Sequence, residues 1–584
     1  MKKSTNTDIL LVNSFAPRQR IMSDVALENG LAIIRTYLED KGFHVDVIDE
    51  LRIGSVEQGV PQWCLRLLRS LANMHLKAHQ KGNKMLISLL FVLSKHVQAF
   101  SLLRRQQYMD REIERIISKV KSHNISVVGI KTWYGDAFKW SLRLSAKVKE
   151  ECPETVVIIG GPQVKVYGAE VLNWTEFDLA IMGPGEKVLE QLLVLRRETA
   201  NKQDFLQKVM HDFPGAPLLR TGGYRARCSV VDQKDQKSED NAVIPRYKDI
   251  DIKDKLLFHT LVDGSGCVWS KCNFCSHTRH SMPYQPRPVE EIVEEMKIVT
   301  QLGVAFFRFC SSETPIGHGR KIAQAILDAG LKVNYSMFKR PGKVTPAIYK
   351  DFCLMIKSGL RAVFMGGETG HDLINAKVMN KGTCKKEIID TINCIRLAAT
   401  EVGESCRVGL SLIYPCPVVD GVTLQEVYEE NISLITQSRP DTVVVNPPGL
   451  FPGTNWYEEA DNFGFKASKD LVRTLMQYEY SIYKPAESWD NLDYSLNGLS
   501  WLALLKETGR LRKAVMDMGI PTDISDEFLM MMEAIGCKSN IDLVKFKQQS
   551  LMDIMTGTTK YGTEIIRKIN EKSKLIAMGN TKQH

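Results

Sequence analysis

The chain has 584 residues, enough for three or four domains, and 44% hydrophobic with 25% charged residues is an ordinary composition for a soluble globular protein. The basic start MKKSTNTDILLV loses its apolar run at Val12, so no secretory signal is expected. The longest apolar-rich stretch, Met85–Leu93, is about half of what a spanning helix needs, so no transmembrane segment is expected either. Thirteen cysteines, an odd number mostly placed singly as at Cys353 and Cys394, suit buried thiols in a reducing cytoplasm better than a disulfide framework.

In chain order, Asp8–Pro17 (DILLVNSFAP) reads as a buried strand, GLAIIRTYLEDKGF as a helix and Val45–Glu50 as a second strand. Trp63–Lys121 holds twelve Lys/Arg against three Asp/Glu, which could account for the whole net charge of +9. Its charges alternate with Leu, Ile and Phe at helical spacing, which predicts amphipathic helices with a solvated basic face. The other reading is a site for an anionic partner, whether lipid headgroup, phosphate or nucleic acid, although nucleic acid is not expected as a partner of the chain as a whole. His75 and His79, four apart, lack a third ligand. Strand candidates follow at Ile125–Trp133, Thr155–Val164 and Asp178–Glu186, with helix between, which predicts a parallel, doubly wound sheet. Glycines 160, 161, 183 and 185 lie in its strand-end loops, where such sheets bind ligands.

From 214 to 255 the periodicity dissolves into a charged linker. Six further apolar runs then alternate with helical stretches: LLFHTLVDG, VAFFRFCSS, LKVNYSMFK, LRAVFMGGE, VGLSLIYP and DTVVVNPPG. Six βα units over some 200 residues predict an incomplete barrel, a (β/α)6 partial TIM barrel. Beyond about Ala467 the chain reads as helical, with a frayed polar tail from Gly579. The expected domains are 1–213, with an insertion at about 60–121, the linker 214–255, a core at 256–466 and a helical region at 467–584.

Just after the first barrel strand stands GSGCVWSKCNFCSH, with Cys267, Cys272 and Cys275 spaced C-x4-C-x2-C. A structural zinc site could be completed by His277 or His280, and unligated thiols are a third reading. Three cysteines on one loop also suit an iron–sulfur cluster with one iron open to a chelating ligand.

Here the chain resembles the radical S-adenosylmethionine (SAM) superfamily. The resemblance rests on GCVWSKCNFC, with Phe274 before the third cysteine, and on FRFCSSETP, MGGETGHDLINAKVMNKG and NPPGLFPGTNWYE in that order. The first cysteine spacing is four where three is usual, as also occurs in cobalamin-linked branches. The resemblance implies that Cys267, Cys272 and Cys275, but not Cys310, hold a 4Fe-4S cluster. It also implies that Glu313, Gly366, Gly367 and Glu368 lie near S-adenosylmethionine. The N-terminal part is similar to the Rossmann-like cobalamin-binding domain that precedes the barrel in one large class. That likeness places Thr132, Trp133, Gly135, Gly160, Gly161, Gln163, Gly183 and Glu186 in the cofactor's loops. The D-x-H-x-x-G motif is absent, SFAPRQ standing in its place, so the cobalt's lower face is expected to lack a histidine, with Trp133 nearest.

What the resemblance implies functionally is cleavage of S-adenosylmethionine to a deoxyadenosyl radical, hydrogen abstraction from an unactivated carbon and methylation from methylcobalamin. A cyclisation, ring contraction or oxidation with the same cofactors is the alternative, and a non-catalytic corrinoid or Fe–S binding regulator the third. An external electron donor such as flavodoxin or ferredoxin is implied. The substrate, whether small molecule, lipid or peptide, has no motif.

Overall fold

The computed structural model describes residues 7–17, 22–212, 218–221, 224–225, 243–277, 284–480, 489–581. Residues 214–217, 222–223 and 226–242 of the expected linker, His280 and the last three residues of the tail lie outside them. The chain forms two compact units, one of Met1–Lys255 with Val472–Glu479 and Ser550–Thr563, the other of Leu256–Leu471, Tyr480–Gln549 and Glu564–His584.

The first unit is built on a sheet of β1 (Ile9–Asn13), β2 (Val45–Ile48), β3 (Val127–Lys131), β4 (Val156–Gly160), β5 (Leu179–Ala180), β6 (Leu218–Thr221) and β7 (Tyr224–Arg225). Their order is β2-β1-β3-β4-β5-β6-β7, parallel through β5 and antiparallel beyond. All five residues of β1, ILLVN, are buried, as expected of a parallel strand covered on both faces. Ile9, Leu11, Val127, Val156 and Ile158 share a core with Leu31 and Leu38 of helix α1 (Asn29–Asp40). Each aliphatic side chain so buried contributes roughly 1.5–3 kcal/mol. The strand order reverses direction between β1 and β3, which sets Asn13 beside Lys131 at the carboxyl edge.

The basic insertion is helical. Helices α2 (Gln62–Gln80) and α3 (Lys84–Ser122) form a hairpin. The helix does not stop with the apolar stretch at Leu93 but runs on past Lys95 and His96. One cation does not end a cooperatively propagating helix, and α3 holds a window long and apolar enough to cross a membrane by length and composition.

The second unit carries β8 (His259–Leu261), a short antiparallel pair β9 (Gly264–Ser265) and β10 (Gln285–Pro286), then β11 (Phe306–Phe309), β12 (Asn334–Lys339), β13 (Leu360–Glu368), β14 (Arg407–Ile413) and β15 (Thr442–Asn446). β8 and β11–β15 form an all-parallel, open six-stranded sheet in sequential order, the partial barrel. The helix Asp526–Ala534, buried from Asp526 to Met532, packs against β11 to β14. The C-terminal region is otherwise helical but includes a three-stranded antiparallel sheet of β16 (Phe465–Ala467), β17 (Tyr494–Leu496) and β18 (Leu499–Ser500), which sequence reading missed.

Candidate functional site

The cysteine loop is fastened on both sides. The Asn273 amide donates to Met379 O at 3.0 Å and its side chain to Val378 O at 3.0 Å, while Trp456 N–H donates to Asn273 O at 3.1 Å. Trp269 Nε1 donates to Asn380 O at 2.6 Å, and its ring fills the space where a Cβ on Gly382 would stand, 2.2 Å away. Arg340 stacks on the other side of this cluster, 4.8 Å from the Trp269 ring, and donates to Lys381 O and Gly382 O. The segment Met379–Gly382 thus clamps the loop.

Cys272 is buried, and Cys267 and Cys275 are partly so. Burial pushes the Cys272 thiol up to about 12, against the pull of Lys381, and raises that of Cys275. Among the described residues no three His, Cys, Asp or Glu side chains converge on a single-metal position. Lys381 Nζ pairs with Glu368 Oε1 at 2.8 Å. Burial works to lower this ammonium, but Glu368 and the thiols outweigh it and hold it above its ordinary value. Glu368 ends β13 where the register with β14 shifts, and its φ of 61° lies in the left-handed region. A Cβ on Gly366 would stand 2.3 Å from Glu368 Oε1 and 2.8 Å from Lys381 Nζ, so a side chain there would push the ends of this pair aside. Gly367 faces the core instead, where a Cβ would meet Leu410 at 2.8 Å.

Glu313 forms a second cluster, 3.1 Å from Lys339 Nζ and 3.8 Å from Arg340 Nε, and its buried Oε2 accepts no hydrogen bond. Sequence reasoning missed the residues beside it. Asp263 is buried, accepts from Ser311 N (3.0 Å), Ser311 Oγ (2.9 Å) and Thr314 Oγ1 (2.8 Å), and burial raises its carboxyl against those bonds. Arg308 pairs with Asp526 through two contacts, Nε–Oδ2 at 3.1 Å and Nη2–Oδ1 at 2.8 Å, and Ser336 Oγ donates to the same carboxylate at 2.7 Å. Cys310 is exposed, on the loop after β11.

In the first unit, the carboxyl edge brings together Thr132, Trp133, Gly160 and Gly161. Thr132 donates from N (2.9 Å) and Oγ1 (3.0 Å) to Gly160 O, and Trp133 N–H donates to Ser14 Oγ at 3.1 Å. Lys131 lies 5.6 Å from the Trp133 ring centre and pairs with Glu28 at 2.5 Å. Gly161 (φ +97°) and Gly183 (φ +108°) use conformations that favour glycine. Asn13 Oδ1 is buried without a hydrogen-bond partner. Gly135 and Gln163 are engaged elsewhere. A Cβ on Gly135 would meet Glu479 Oε2 at 2.1 Å, and Gln163 donates to Met476 O at 2.8 Å. Glu186 opens the helix Glu186–Arg197, one strand further along.

Residues 101–193 match the family model described as B12 binding domain. No curated protein matches the chain. Among solved structures, the radical S-adenosylmethionine methyltransferase TsrM from Kitasatospora setae, with cobalamin and a [4Fe-4S] cluster bound, aligns with a TM-score of 0.59 at 15% identity. That alignment covers 96% of this chain and 99% of that one. The same enzyme with tryptophan substrate and a SAM analogue aligns at 0.59 and 16% identity, over 87% and 88%. The cobalamin-dependent S-adenosylmethionine radical enzyme OxsB with aqua-cobalamin aligns at 0.51 and 13% identity, over 98% and 80%. The chain therefore carries a B12-binding domain and has the fold shared by these cobalamin-dependent radical SAM enzymes.

Proposed function

We propose, from the premise that the chain is one of the cobalamin-dependent radical SAM proteins whose fold it has, that it methylates an unactivated carbon, with Cys267, Cys272 and Cys275 ligating a 4Fe-4S cluster. The cysteine loop carries this reading. Structural zinc draws four ligands around one point, with sulfur at about 2.3 Å, whereas this loop offers three cysteines. A cuboidal cluster spreads its thiolates over three irons and leaves a fourth open. A thiol pushed up to about 12 releases its proton only against strong positive charge, which bound iron supplies.

The other two cofactors fit as well. Glu313 Oε2, which accepts no hydrogen bond, and the Glu368 carboxylate, with no side chain at Gly366, suit a ligand with amine and hydroxyl groups such as S-adenosylmethionine. Gly160, Gly161 and Gly183 at successive strand ends, with Thr132, Trp133 and the unpartnered Asn13 Oδ1, suit a long polar tail such as cobalamin's. Gly135, Gln163 and Glu186 have positioning roles in this reading. Once bound, the cluster and corrinoid supply S-adenosylmethionine cleavage and methyl transfer. The chain's own residues bind and orient them: Lys381 sets the charge beside the thiols, and Arg340 holds the clamp over the loop. The electron would come from an external donor of the flavodoxin or ferredoxin class. The absence of a disulfide among the twelve described cysteines accords with a reducing compartment such as the cytoplasm.

The likeness to TsrM, described as a methyltransferase, supports methylation. The likeness to OxsB, described only as a radical enzyme, supports the second reading, a rearrangement or oxidation without methyl transfer. Anaerobic reconstitution with iron, sulfide and cobalamin, followed by product analysis, separates them. S-adenosylhomocysteine beside deoxyadenosine is expected, and deoxyadenosine alone favours the second. Alanine at Cys267, Cys272 or Cys275 should abolish cluster absorbance, whereas Cys310→Ala should keep it; the reverse pattern overturns the ligand assignment.

A further inference from the structure

We propose that the α2–α3 hairpin docks this protein on the surface of an anionic lipid bilayer. From Gln62 to Met109 the chain has eight Lys/Arg and no Asp or Glu. Along the inner side of α3, Leu90 packs on Leu71 and Ala78, and Val97 packs beside Leu65 and Leu68, which closes the hairpin seam. A second, adjoining side of the same helix is also apolar. Met85 is 87% exposed, Leu89 57%, Leu93 46%, Phe100 38% and Leu103 56%, a stripe of four-, four-, seven- and three-residue steps about 27 Å long. Trp63 of α2, 58% exposed, extends it at the Phe100 end, their rings 5.5 Å apart.

A helix apolar on all sides is normally buried on all sides, and a patch of this extent marks an interaction surface. The charges select the occupant. Exposed Arg66, Lys77, Lys81 and Lys95 flank the stripe. A second copy of the chain would bring the same unbalanced cations face to face across a twofold axis. Nucleic acid would take the cations but leave the stripe in water. An anionic bilayer supplies negative headgroups and an apolar layer together, as for other basic, aromatic-bearing interfacial helices. A surface mode is favoured over a span because α2, paired with α3, carries Arg66, Arg69 and Lys77 along its length, each costly in hydrocarbon.

The test uses the purified full chain and vesicles, either neutral phosphatidylcholine or a mixture with about one-third phosphatidylglycerol. Cosedimentation with the anionic vesicles should be at least about tenfold tighter and should weaken as salt rises. K77Q/K81Q/K95Q should bind on the order of 100-fold more weakly, at about fivefold per charge. L89E/L93E should lose binding while keeping its helical circular dichroism and its iron uptake, because the seam residues are untouched. Equal binding to both vesicle types, or none, overturns the proposal. So does a dimer that L89E/L93E dissolves, or membrane association in cells that survives carbonate extraction.

Discussion

Glu368 occupies left-handed backbone at a cost of order 1 kcal/mol. That strain is offset by what the conformation achieves, a carboxylate turned onto Lys381 beside the thiols. Both partners are mostly buried, so removing one leaves an uncompensated charge. Lys381→Met is expected to cost about 3 kcal/mol in urea unfolding of the metal-free protein, and Lys381→Met with Glu368→Gln should recover most of it. At the other unit's edge, Ser14 stands at the end of β1 and accepts from Trp133 N–H. A serine there gives cobalt no nitrogen. With the cofactor's own base displaced into the domain as well, the cobalt(II) form loaded with cobalamin should show no nitrogen superhyperfine splitting in electron paramagnetic resonance, and splitting would refute this. Sequence reading reached the cysteine triplet because its spacing is local. It passed over Lys381, Asp263 and Arg308 because each acquires its role only once the fold brings its partner to it. Arg308, for instance, sits inside the apolar run FRF and meets Asp526 more than two hundred residues later.

At the scale of elements, the six barrel strands were legible because each is an apolar run bounded by polar turns. The sheet of β16–β18 was not, since strands of two or three residues are too short to show a period of two. The turn between the helices Asn540–Thr556 and Lys560–Thr581 adds a titration that no pattern would reveal. Asp553 accepts from Gly562 N–H at 2.7 Å and from Thr558 Oγ1 at 3.2 Å, yet burial dominates and raises its carboxyl to about 6. With the folded value above the ordinary one, the folded state holds the proton, and ionisation opposes folding. The stabilisation is complete below about pH 4 and is lost as pH rises through 6, a change of about 3 kcal/mol. Asp553→Asn should flatten this part of the Tm profile between pH 4 and 6. An unchanged slope would show that other groups set it.

At the scale of the whole chain, Val472–Glu479 and Ser550–Thr563 belong to the first unit although the second has begun by then. Gln163 donates to Met476 O, Asp136 N–H to Glu479, and Thr559 N–H and Oγ1 both donate to Glu57 Oε1, so both returning segments supply partners to residues made far earlier. Synthesis is vectorial, and at about 5–20 residues per second the last of these partners leaves the ribosome roughly 15–60 s after Lys255 does. Through that interval the nascent N-terminal half holds the Gly135 loop without Met476 and Glu479, and Glu57 with Arg69 but without Thr559, and must be guarded from aggregation. A 1–255 fragment expressed alone should be largely insoluble, and a soluble, cooperatively melting fragment would show that the returning segments are dispensable. A gene split at a single junction cannot yield two self-sufficient halves, so the reading frame behaves as one heritable unit.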